Sequence, residues 1–261
     1  MKKRMVFLAM MVCVLAFGLV FIGCKSDGGG GLSIPSLAGF KAADFAGIDL
    51  VFSGSAVTEA TAEAVIIPIV ELLKQRYDDL SDFIKDKLGG DGAIGSFNKD
   101  LSDYKNDTDL TDYGIENLAG STKGSANSSG GSGTFNLTHD YDSDNDIDSF
   151  DFIGSNTVKG KVKGAGNNMV KVSANSQSDS EAVALSYAVA FNYGSNSGYA
   201  IVTVGWAYEW VYLLATDTIN FTSVPLANVK VDLYDTDGSF LRTQSYTGED
   251  AIEMLGLDEL F

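Results

Sequence analysis

The sequence feature that most constrains the fold is a long apolar stretch, residues 182–214, in which large and small side chains alternate. Large residues stand at every second position from Val183 to Tyr193 and again from Val202 to Tyr212. A repeat of two is that of a β-strand, since successive strand residues point to opposite faces. Residues 194–198, Gly-Ser-Asn-Ser-Gly, have the composition of a turn. The stretch therefore predicts a long β-hairpin in the core.

The register of this hairpin is open between two alternatives. If Tyr193 pairs with Gly198, large residues oppose large ones, and the other face holds Ala, Ser, Gly and Thr, flat enough for a close helix. If Tyr193 pairs with Tyr199, both faces are mixed in size. We favour the first register because it sorts the side chains cleanly.

The rest of the chain predicts an α+β fold. Period-two segments recur after Gly133, and residues 235–238 form a hairpin turn signal. Over 58–88 apolar residues recur at spacings of three and four, which predicts a helix with a kink or break at Pro68. We expect a twisted antiparallel sheet of residues 134–246, packed by this helix, and a short C-terminal helix at 249–255.

The N-terminus has the composition of an export leader. Residues 1–4 are basic, residues 5–22 are apolar and uncharged, and Phe21-Ile22-Gly23-Cys24 precedes a Gly-rich stretch. This ending resembles the lipobox of bacterial lipoproteins, with Phe21 where Leu is commoner. The resemblance implies removal of residues 1–23, acylation of Cys24 and anchoring in the cell envelope. An uncleaved anchor or an ordinary signal peptide is the alternative.

The segment after Cys24 bears on localisation and domain organisation. Lys25 stands where, in such lipoproteins, an Asp causes retention at the inner membrane, so we expect the outer membrane, on its periplasmic or surface face. Composition divides the remaining chain into a flexible lipidated tether, a helical segment, a Gly/Ser-rich linker or loop, and an antiparallel β-domain. Their bounds are 24–38, 39–118, 119–133 and 134–261.

The charge of the chain argues against nucleic acid as a partner. The net charge is −17, and removal of three basic leader residues from 18 leaves 15 basic against 35 acidic residues, near −20. Phosphate binding needs clustered Lys and Arg. The expected partners are instead the membrane through the acyl chains, and an apolar ligand or an envelope protein.

The densest chemical pattern is an acidic run that resembles the twelve-residue calcium loop. Its carboxylates occupy loop positions 1, 3, 5, 7, 9 and 12: Asp140, Asp142, Asp144, Asp146, Asp148 and Asp151. Asn145 replaces the usual Gly, Asp151 replaces the longer Glu, and the flanks predict strands instead of helices. Two interpretations of the run therefore stay open: a Ca²⁺ site, or an acidic turn between strands whose carboxylates are solvated. Lys159, Lys161 and Lys163 nearby either pair with the aspartates across a sheet or guard an exposed edge.

Catalytic motifs are weak. His139 is the only histidine, so a His-based zinc site is excluded, and a raised pKa beside the acidic run would make His139 a poor base. Aromatics at period two could line a ligand groove, although such residues are more often core: they are Trp206, Tyr208, Trp210 and Tyr212.

Together these features predict a non-catalytic, membrane-anchored envelope lipoprotein that acts as a structural or binding module, with Ca²⁺ as a candidate stabilising ion. The alternative is a carrier or receptor for an apolar ligand. A carbohydrate-active enzyme ranks third.

Overall fold

In the computed structural model of the chain, a mixed β-sheet is accompanied by short helices, an α+β arrangement. The residues described are 32–48, 50–74, 95–104, 106, 110, 115–127, 130–142, 157–172, 176–213, 215–216, 218–221 and 225–257.

Ten strands form the sheet in this part of the chain. They are β1 (Ser55–Ala56), β2 (Gly95–Asp100), β3 (Ile115–Asn127), β4 (Gly130–Asp142), β5 (Thr157–Val172), β6 (Ser176–Tyr193), β7 (Asn196–Leu213), β8 (Thr218–Phe221), β9 (Leu226–Tyr234) and β10 (Phe240–Thr247). The helical elements are α1 (residues 62–74), α2 (Glu249–Met254) and two 3-10 helices, Ala42–Gly47 and Leu101–Tyr104.

From β2 to β7 the sheet is a meander in which chain neighbours are also neighbours in space. Its order is β10-β9-β7-β6-β5-β4-β3-β2, with every pair antiparallel. The outer side of β7 is shared by β9 along residues 199–207 and by β8 along residues 210–213. The short β1 pairs with β7 in parallel, which makes the sheet mixed.

The predicted hairpin is confirmed, but its register matches neither alternative. Tyr193 pairs with Asn196, and Leu185 pairs with Val204. The connection is a two-residue turn that begins at Gly194, whose φ is 57°. Two-residue hairpin turns suit the twist of the strands and need a positive φ, which Gly adopts without strain. The register is shifted by two residues from the favoured one, so large residues still oppose large ones.

The sheet begins earlier in the chain than predicted. Residues 119–133, expected to be a linker or loop, lie largely in β3 and β4, which pair from Ile115 opposite Tyr141 to Asn127 opposite Gly130. The helical segment expected over 39–118 also contains β1, β2 and the start of β3. Gly and Ser have low strand propensity, but tertiary pairing on both sides supplies ladder hydrogen bonds that local composition cannot indicate.

The large-residue face of the hairpin packs against the helices. Tyr187, Phe191 and Val202 share one core cluster with Val65, Ile66 and Ile69 of α1, and Ala251 and Leu255 at α2 join it. Among the described residues, α1 thus lies on the large-residue face and not on the small-residue face, which is flat enough for a close helix. Burial of large side chains stabilises more than burial of small ones, so the helix with its apolar stripe belongs on the large face.

The helix itself follows its sequence pattern in part. Residues 62–74 are helical without interruption at Pro68, so of the predicted kink or break the break is wrong, and the kink stays a prediction. Thr58 lies one turn earlier, where Thr61 Oγ1 accepts a hydrogen bond from the Thr58 N–H at 3.0 Å. Residues 75–88 of the predicted helix lie outside the described residues.

Candidate functional site

The small-residue face of the β6–β7 hairpin is covered by residues 32–56, apart from Asp49, and we name this segment the strap. Residues 32–38 of the predicted tether thus belong to the strap, and the name tether is kept below for residues 24–31. The strap lies directly on the strands: a Cβ placed on Gly205 would be 2.5 Å from Ile34 Cγ2, and one on Gly39 would be 3.1 Å from Ser186 Oγ. The Phe40 N–H donates to the buried Ser186 Oγ at 3.2 Å. This close approach needs the small side chains that the alternation places on this face.

Two aromatic residues of the strap form a second apolar cluster with the sheet. Phe40 and Phe45 are buried against Ala188 and Ile201. The 3-10 helix Ala42–Gly47 presents Phe45 inward, and the Lys41 N–H donates to Asp44 Oδ2 at 2.9 Å where this helix begins. The strap is thus part of the core and not a surface tail.

At the hairpin turn the strap is held by a buried polar group that we name the latch, formed by Val51, Ser53, Gly54, Asn192 and Ser197. Asn192 and Ser197 are only 2% and 0% exposed. Asn192 Oδ1 accepts from the Ser53 N–H at 3.0 Å and from Ser197 Oγ at 2.7 Å. Asn192 Nδ2 donates to the Val51 carbonyl at 3.0 Å, and Ser197 Oγ accepts from the Gly54 N–H at 2.8 Å. Both amide ends of Asn192 are therefore satisfied, as a buried side chain requires.

The backbone continues this attachment past the latch. The Ser55 N–H donates to the Ser195 carbonyl at 2.8 Å, and the Val57 N–H to the Ser197 carbonyl at 2.7 Å. A Cβ on Gly54 would lie 2.7 Å from Ser197 Oγ and from the Ser195 carbonyl oxygen. Any side chain at position 54 would therefore clash with the turn, and glycine at this position allows the strap to approach it.

Beside the latch, five rings form a continuous aromatic row: Phe52, Tyr199, Phe45, Tyr234 and Phe240. Phe45 stacks on Tyr199 with ring centroids 4.5 Å apart, and the other contacts are edge-on at 5.0 to 5.6 Å. Edge-to-face and offset rings of this kind add to simple burial. The row runs from Phe52 through buried Phe45 to Phe240, which is 57% exposed.

Asp232, two residues before Tyr234 of the row, has two side-chain partners. Lys230 Nζ and Thr243 Oγ1 each donate to Asp232, to Oδ2 and Oδ1 respectively, both at 2.6 Å. Partial burial, and then the Asp232 carboxylate, raise the pKa of the Tyr234 phenol. Tyr234 therefore keeps its proton near neutral pH and presents an uncharged ring to its neighbours.

The four aromatics predicted to line a ligand groove lie in β7. Tyr208 and Trp210 are buried, at 4% and 7% exposure, and Trp206 is partly buried against the main core. For Tyr212 the structure describes only its place in the strand, opposite Gln177. An apolar ligand at these residues stays a prediction.

Of the acidic run, Asp140 and Asp142 lie at the end of β4, and Asp144, Asp146, Asp148 and Asp151 lie outside the described residues. Asp140 stands opposite Lys159 in the β4–β5 ladder. The lysine row lies on β5, an interior strand between β4 and β6, so the edge-guarding alternative is wrong. Among the residues described, no three candidate metal ligands come together.

Cys24 and the leader also lie outside the described residues. Within the part of the chain that is described, no helix is both long and apolar enough to cross a membrane.

The sequence reasoning missed the strap and the latch. Asn192 is a polar residue next to the hairpin turn in an otherwise apolar run, which was a usable signal. Its partner Ser53 is 139 residues away, and no local pattern indicates such a pairing.

No protein-family model, no curated protein and no solved structure matches this chain.

Proposed function

We propose that the chain is a lipid-anchored protein of the bacterial cell envelope, held by acyl chains on Cys24, that serves as a non-catalytic structural or binding module at the outer membrane. The leader ending Phe21-Ile22-Gly23-Cys24 supplies the anchor.

The observation that carries the proposal is the strap. Seven residues, 25–31, separate Cys24 from the described chain, and within three further residues Ile34 contacts Gly205 in the sheet. Chain termini are commonly loose unless something ties them down. Here buried Phe40, buried Phe45 and the latch attach the segment nearest the anchor to the longest hairpin.

This arrangement suits a module that is held at a surface. A load applied at Cys24 passes through the short tether into the strap, and from the strap into β6 and β7 through side-chain packing and the latch hydrogen bonds. A domain connected by a long unpacked linker would not be coupled to its anchor in this way.

The anchor is tested by mass spectrometry and detergent-phase partitioning of the full chain expressed in bacteria. The expected product begins at Cys24, carries a diacylglyceryl thioether and an N-acyl chain, and partitions into detergent. Cys24→Ala should lose the acyl mass, whereas Cys13→Ala, in the leader, is the matched control and should behave as the unaltered chain. An unmodified Cys24 thiol in the purified protein would refute the proposal.

A further inference from the structure

The aromatic row ends in exposed apolar side chains. Of the four large hydrophobic residues that are exposed in the described chain, Phe240, at 57%, is the last ring of the row, and Val51, at 78%, stands next to its first ring, Phe52. Val51 precedes Phe52, and Phe240 contacts Tyr234. We name these two exposed side chains the patch; burial of their apolar surface by a partner would be favourable.

The patch and the tether belong to the same face of the sheet. Tyr199 and Gly205 are both odd-numbered residues of β7 and point to one side, where Phe45 and Ile34 of the strap cover them. The tether consequently leaves the domain on the face that carries the aromatic row.

The tether is also short enough to bring this face to the membrane. From Cys24 to Leu32 the chain spans at most ~28 Å when fully extended, and the six residues from Gly205 to Tyr199 span ~20 Å along the strand. An anchor at Cys24 therefore holds the aromatic row within reach of the bilayer surface in which the acyl chains insert.

We propose that this face docks on the bilayer, with Val51 and Phe240 entering the boundary between head groups and acyl chains. The inference rests on the proposed lipid anchor. Aromatic and aliphatic side chains are favoured at that boundary. The chain has a net charge of −17, so anionic lipid would repel it, and the proposed partner is a zwitterionic lipid surface.

The test places an environment-sensitive fluorophore on single added cysteines of the acylated full chain, which has no other free thiol once Cys24 is acylated and the leader is removed. The variants are Val51→Cys, Phe240→Cys and the control Ile67→Cys. Ile67 is 45% exposed and lies on the outer side of α1, beyond the opposite face of the sheet. The proteins are reconstituted into phosphatidylcholine vesicles that contain brominated lipid as a quencher.

We expect a loss of fluorescence at positions 51 and 240 and none at position 67. Equal, low quenching at all three positions in protein that floats with the vesicles would overturn the docking and leave the anchor standing. If the fluorescence of the labels at 51 and 240 instead changes with protein concentration and is not quenched by the brominated lipid, the docking on lipid is overturned in favour of a protein partner. Failure of the protein to float would remove the anchor and this inference with it.

Discussion

Asn192 is the residue whose removal tests the architecture most directly. Asn192→Ala deletes three hydrogen bonds, to the Ser53 N–H, Ser197 Oγ and the Val51 carbonyl. Each such bond contributes about 1 kcal/mol net, and a buried partner left unsatisfied costs more. The expected loss in the free energy of unfolding is therefore about 3 kcal/mol.

Urea denaturation followed by tryptophan fluorescence measures this loss. Trp206 and Trp210 both lie on β7, so their emission reports on the strand that the latch stabilises. With a slope of about 2 kcal/mol per molar urea, the midpoint should fall by about 1.5 M. Asn220→Ala is the matched control, because Asn220 is exposed on β8 and should change the stability by less than about 0.5 kcal/mol.

A local readout separates the strap from the rest of the fold. Hydrogen exchange of the amides of Ser53, Gly54 and Val57 should be faster in Asn192→Ala, because these donors lie in or next to the latch. If Asn192→Ala matches Asn220→Ala in its urea midpoint and leaves these amides protected, the latch does not hold the strap and the reasoning is refuted.

Three further predictions concern packing, metal binding and pH. Gly205→Val should destabilise the full chain by more than about 1 kcal/mol in urea denaturation, on the order of other overpacked sites, because even a Cβ there would lie 2.5 Å from Ile34 Cγ2. Gly205 is not among the glycines with a positive φ, so this loss reports the clash and not backbone strain, and an unchanged urea midpoint would contradict the close contact. Since Asp140 already stands opposite Lys159 in the ladder, millimolar Ca²⁺ should leave the Tm unchanged in differential scanning calorimetry, and a saturable rise would establish the calcium loop instead. The pKa of Tyr234 is raised in the folded protein. Tyr234 should therefore contribute stability at pH values below the pKa of an unfolded tyrosine, near 10, and this contribution should be lost as the pH rises through the folded pKa. In Tyr234→Phe the urea midpoint should fall less steeply over this pH range, and an unchanged fall would contradict the assignment.

Several features could be predicted from the sequence because they depend on local side-chain periodicity. The alternation over 182–214 specifies two strands and separates large from small residues on the two faces of each strand. The three-and-four spacing that includes Ile66 and Ile69 specifies an amphipathic helix, and residues 62–74 bury that stripe. Each of these properties depends only on residues that are a few positions apart in the sequence.

Only the tertiary structure decided how these elements meet. The register of the hairpin depends on a two-residue turn at Gly194, and the Gly/Ser-rich β3 and β4 exist as strands because partners pair with them on both sides. The strap reaches Ser186 and Asn192 across more than one hundred residues of chain. Contacts between residues so far apart in the chain depend on complementary shape and hydrogen bonding in the assembled core. The local pattern specifies only which faces of the helices and strands are apolar.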